Sequence, residues 1–99
     1  MPVTTTLSAD QKEKIISING RFDFTAHQDF IKAYKSDEKG EKAYVVDLRN
    51  ADYMDSSAMG MLLQLREYAA QHRVALKNAN ETVMEVLRIA NFGKLFQVQ

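Results

Sequence analysis

Ala43-Tyr44-Val45-Val46-Asp47-Leu48 is apolar at every position but Asp47. A run of this kind does not alternate as a half-solvated strand would, so it suits a strand buried on both faces of a parallel or mixed sheet. It is expected to be the central strand. Parallel neighbours need crossover connections, and the flanking sequence supplies helices for them. Downstream, Ala58, Met61, Leu62, Leu65 and Ala69 recur at i, i+3, i+4, i+7 and i+11, which places them on one face of a helix predicted over Ala58 to about His72. Upstream, Thr25 and Gln28 have the S/T-x-x-E/Q spacing of a capping box. They open a helix expected to run to about Lys35, with Phe30, Ile31 and Tyr34 on its buried face.

The remaining elements follow by the same logic. Val3 to Leu7 and Lys14 to Asn19 favour two short strands joined around Ser8-Ala9-Asp10, with Gly20 ending the second. The charged stretch from Ser36 to Lys42 reads as an exposed connection. Val74 and Leu76 alternate as in a strand, and Asn80 caps a third helix with Val83, Val86, Leu87 and Ala90 on one face. Asn91 to Gly93 contains the stop, and Leu95 to Val98 adds a last strand. The order β-β-α-β-α-β-α-(β) predicts an α/β fold, with one mixed sheet of 4-5 strands packed with three or four helices, as a single domain over residues 1–99.

Composition narrows the function classes. With no cysteine among 99 residues, disulfides and thiolate zinc sites are excluded, and two histidines alone are a poor metal set. Thirteen basic and thirteen acidic residues leave no net field to draw the chain to nucleic acid or anionic lipid. Met1 to Asp10 lacks the basic start and apolar run of a signal peptide, and no stretch approaches the ~20 apolar residues of a membrane span. A cytoplasmic protein without cofactor or metal is expected, with no direct nucleic acid or membrane contact.

The chemistry concentrates between Asp47 and Leu62, where a buried strand is expected to pass through a polar loop into a helix N-terminus. Ligands meet α/β sheets at such places, and the first turn of a helix can accommodate a phosphate on a serine. Capping alone also accounts for Asp55, Ser56 and Ser57, since Asp and Ser are favoured N-caps in any protein. If Ser56 is the cap, Ser57 stands one step inside the helix with its hydroxyl pointing outward. No G-x-S-x-G elbow accompanies Ser57, and His27 and His72 are placed at helix ends, which leaves a serine hydrolase without its motif. Met84 is expected at the surface, and Phe92 and Phe96 are expected to pack.

Met54-Asp55-Ser56-Ser57-Ala58-Met59-Gly60-Met61-Leu62 resembles the D-S-S-G-x-G-x-L signature of STAS domains, specifically stand-alone bacterial anti-sigma factor antagonists. Gly20-Arg21-Phe22-Asp23 is similar to the G-x-[LF]-D turn by which these domains leave their second strand. Ala58 departs from the commonest pattern, which has glycine there. The resemblance implies a partner-switching cycle. The unphosphorylated antagonist binds an anti-sigma factor, often also a serine kinase, and frees a sigma factor; phosphorylation of Ser57 blocks that binding, and a serine phosphatase restores it. It further implies that Asp23, Asp55, Ser56, Ser57, Met59 and Met61 meet the partner, and that the free protein is a monomer. A STAS module that binds a ligand or scaffolds a complex without phosphorylation would share the fold.

Overall fold

The computed structural model describes residues 3–99. The elements run β1 (Val3–Leu7), β2 (Glu13–Phe22), a 3₁₀ turn (Phe24–Ala26), α1 (His27–Lys35), β3 (Ala43–Met54) and α2 (Ser56–Ala69). Then come β4 (Val74–Lys77), α3 (Glu81–Ile89), a second 3₁₀ turn (Phe92–Lys94) and β5 (Gln97–Val98). The sheet order is β1-β2-β3-β4-β5, with β1 antiparallel to β2 and the other neighbours parallel. The apolar run is therefore central, as its composition demands.

Because strand order follows chain order, each crossover steps the same way across the sheet, and right-handed connections then put every helix on one face. The burial agrees. The buried residues of α1, α2 and α3 share one cluster with Ile16, Ile18, Tyr44, Val46, Leu48, Val74 and Leu76, all from one face of the sheet. Pairing places Thr6, Ile15, Val45 and Ala75 in a row on the other face. In α2, Leu62 and Leu65 are 0% exposed, and burying each stabilises the fold by roughly 2 kcal/mol.

Several boundaries differ from those read in the sequence. Gly20 does not end β2. Its φ of +82° lets the strand bend and continue to Phe22, with register shifts against β3 on either side. Opposite that tail, Arg49 to Tyr53 continues β3 instead of forming a loop, because pairing of Asn19 with Asn50 and of Arg21 with Tyr53 keeps it extended despite its polar side chains. The Thr25–Gln28 capping box is not made. Thr25 bonds Asp23 instead, a 3₁₀ turn intervenes, and α1 starts at His27. At the other end, α2 stops at Ala69, where Ala70 adopts a φ of 58° and His72 Nε2 turns to the Gly40 carbonyl at 2.9 Å.

The charged connection is not wholly exposed either. Asp37 is buried against Lys14 Nζ (3.0 Å), Lys42 Nζ (3.1 Å) and the donating Tyr44 hydroxyl (3.0 Å), while the Tyr68 hydroxyl donates to its carbonyl. Burial alone would raise the Asp37 pKa, but these donors outweigh it and hold the carboxyl below its ordinary value. Asn80 caps α3 as expected, its Oδ1 accepting from Val83 N at 2.9 Å. Its Nδ2 donates to Ala51 O at 2.9 Å, which ties α3 to the extended end of β3.

Candidate functional site

Parallel strands β2 and β3 end in register, Phe22 beside Met54, so the two following aspartates leave the same edge of the sheet. Each then does the same local job. Asp55 is the N-cap of α2, and its Oδ1 accepts from Ser57 N (3.0 Å), Ala58 N (3.2 Å) and Ser57 Oγ (2.6 Å). Asp23 caps the 3₁₀ turn before α1, and its Oδ1 accepts from Thr25 N (3.0 Å) and the Thr25 hydroxyl. The common pattern is an aspartate followed two residues later by a hydroxyl. An extended strand end leaves the carboxylate free to fold back on the next turn and satisfy its orphan N–H groups.

The two carboxylates differ in surroundings. Asp23 is 6% exposed, and its Oδ2 accepts from Arg21 Nε at 3.1 Å. Hydrogen bonds from the Thr25 hydroxyl and backbone, then from Arg21, hold its pKa below the ordinary carboxylate value against the cost of burial. The Arg21 guanidinium lies 4.0 Å from the centre of the Tyr53 ring, a cation–π contact across the β2–β3 pair. Arg21 is thus held at two points although its side chain is largely exposed.

Ser57 is half-buried at the second position of α2, and its hydroxyl donates to a carboxylate. Ser56 does not cap the helix. It is the first helical residue and is exposed, because Asp55 takes the capping position. Met59 is partly buried and packs against the core edge. Met61 is 3% exposed and belongs to the core, so it is not on the surface where partner contact was expected. Asp23, Asp55, Ser56, Ser57 and Met59 gather at one sheet edge; Met61 is turned inward.

Two further side chains mark this edge, and the sequence reading missed them. Phe24 is 73% exposed, thrown outward by the turn that Asp23 caps, and Tyr53 is 36% exposed beneath Arg21. The parallel spacing of Asp23-Phe24-Thr25 and Asp55-Ser56-Ser57 was the signal available for the first. Among the described residues, no three His, Cys, Asp or Glu side chains form a metal-holding group. Nor is any helix long and apolar enough to cross a membrane. His27 is exposed at the start of α1, and His72 is bonded to Gly40.

The family model described as "Mlab, STAS domain" matches residues 5–97. A STAS-domain-containing protein of Pseudomonas aeruginosa (strain UCBPP-PA14) is 49% identical over 100 residues, covering 99% of each chain. Among solved structures, an anti-sigma factor antagonist described for Thermotoga maritima superposes with a TM-score of 0.81 at 18% identity, over 97% of this chain and 84% of that one. The Bacillus cell fate determinant SpoIIAA in its phosphorylated form gives 0.66 at 19% identity, over 98% and 90%. At these identities the two structures speak for the five-stranded mixed sheet with its three α-helices, that is, for the fold.

Proposed function

This chain belongs to the STAS-domain family, and from that premise we propose that it is an anti-sigma factor antagonist switched by phosphorylation of Ser57. The unphosphorylated form binds an anti-sigma factor that also acts as a serine kinase, and so frees a sigma factor. A serine phosphatase reverses the modification. The protein works in the cytoplasm as a monomeric binding module, with no turnover of its own, and residues 1–99 act as one domain.

The observation that carries this reading is the Ser57 hydroxyl, 2.6 Å from the Asp55 carboxylate at the head of α2. A phosphate there adds about −1.5 to −2 charges beside an existing carboxylate, on an edge where Asp23 also stands. A partner covering that edge would have to desolvate the added charge beside the Asp55 carboxylate, which repels it. Moving a partner from almost fully bound to almost fully free takes about 5.5 kcal/mol of differential affinity, within reach of such a change. No change of fold is needed. Kinship supports the reading too, since structures of the same fold are described as anti-sigma factor antagonists, and one is of a phosphorylated form.

The test begins with Ser57→Ala protein immobilised to recover the partner, which is identified and then purified alone. Ser57→Ala should bind it constitutively and Ser57→Glu more weakly. The purified kinase partner should place phosphate on Ser57, read by fragmentation mass spectrometry. Equal affinity of both variants, or phosphate on Ser56 with Ser57 unmodified, refutes the assignment.

A further inference from the structure

α1 and α2 both begin at the edge where β2 and β3 end, and they pack side by side. Between them lies a cleft of about 330 Å³. Ile31, Tyr34 and Tyr68 supply its apolar surface, and Lys35, Lys39 and Glu67 supply its charged rim. The α2 residues Gln64 and Tyr68 that line it stand seven and eleven positions after Ser57. At 100° per residue those positions fall about 20° to either side of Ser57, so all three share one stripe of the helix. Ser57 therefore stands on the same side of α2 as the cleft, about 10 Å from Gln64 toward the helix start.

We infer that this cleft is the seat of the partner's docking segment, an amphipathic helix of about two turns with acidic side chains flanking its apolar stripe. This rests on the antagonist reading above and specifies which surface of the partner it uses. The length matches, because the α1 lining from His27 to Lys35 spans about 12 Å, two turns of helix. The shape matches, because apolar side chains between two packed helices accept the i, i+3, i+4 and i+7 anchors of a third. Charge selects the acidic class. Lys35 and Lys39 line the cleft against one carboxylate, Glu67, and neither lysine has an ion pair among the described residues. Lys35 Nζ instead lies 5.6 Å from the Tyr68 ring centre, held over the cleft it would guard. A phosphate at Ser57, on the same stripe about 10 Å from Gln64, would then add like charge beyond one end of an acidic helix seated there.

The experiment uses the full chain and the purified anti-sigma factor recovered on Ser57→Ala protein. Lys35→Glu/Lys39→Glu alters two exposed side chains and should leave the urea midpoint nearly unchanged. It should slow association with the partner about tenfold at low salt and flatten the salt dependence, as expected when rim charges are reversed. Ile31→Ala should mainly speed dissociation. Hydrogen exchange of the complex should protect 27–35 and 64–68, and a synthetic peptide of the partner's acidic helix should compete for binding. A partner that is released by Ser57→Glu but protects neither helix and ignores both lysine reversals would overturn the cleft while leaving the switch intact. Failure of Ser57→Ala to bind any anti-sigma factor overturns both.

Discussion

Replacing Asp55 with alanine removes one oxygen that serves three donors: Ser57 N, Ala58 N and Ser57 Oγ. Losing an aspartate cap costs about 0.5–2 kcal/mol, and the high end applies here because two backbone N–H groups lose their acceptor at once. The lost negative charge at the positive end of the α2 dipole adds about 0.3–1 kcal/mol. A total of about 2.3–3 kcal/mol is expected, which lowers Tm by roughly 9–24 °C in a domain of this size. Urea unfolding followed by far-UV circular dichroism measures it, and the m-value should stay constant if only native stability changes. Asp55→Asn keeps the acceptor and should recover most of the loss. Ser56→Ala, at an exposed first helical position with no capping role, should stay within about 0.5 kcal/mol of wild type. If Asp55→Ala unfolds at the wild-type midpoint, or Ser56→Ala costs as much, then Asp55 is not the cap and the geometry given for Ser57 is wrong.

Leu62→Ala, at a side chain with 0% exposure, should cost about 2–5 kcal/mol and threaten folding at 37 °C, read from the same urea curves. Gly20→Ala meets no neighbouring atom within 4 Å, yet φ at +82° disfavours a side chain, so it should cost about 1–2 kcal/mol through backbone strain alone. Acid should unfold the protein in a defined direction. Asp23 and Asp37 both titrate below their unfolded values in the native state, so their contribution is complete above about pH 5 and is lost as pH falls through the folded values. The urea midpoint should accordingly be flat from pH 7 to 5 and fall below pH 4, with a shallower fall in Asp37→Asn than in wild type; an equally steep fall in that variant would discount the Lys14–Asp37–Lys42 network.

Periodicity carried the fold because the pattern and the packing have the same cause. Phe30 and Tyr34 recur at helical spacing since they must meet the sheet, and Tyr44, Val46 and Leu48 face those helices while Val45, on the face no helix covers, is also buried and completes the run. The serine pair was legible too, through its place after a buried strand and through the resemblance of its neighbours to a known signature. What stayed hidden was whatever depends on two distant segments meeting. Arg49 to Tyr53 has loop composition and becomes strand because the tail of β2 lies alongside it. Asp37 looks solvated until Lys14 of β2 reaches it beside Lys42 of its own connection.

At the site itself, local pattern suffices to show that a buried strand delivers Asp55, Ser56 and Ser57 to a helix start and that Met61 shares the apolar face of that helix, because hydrophobic spacing and capping preference depend on near neighbours. Which of the three does the capping, and that Asp23 leaves the same edge, came from the pairing of distant strands. Capping by Asp55 or by Ser56 differs by one residue in where the strand stops, and that is set by how far β3 stays paired with β2. Local chemistry proposes the cap; pairing between strands chooses it.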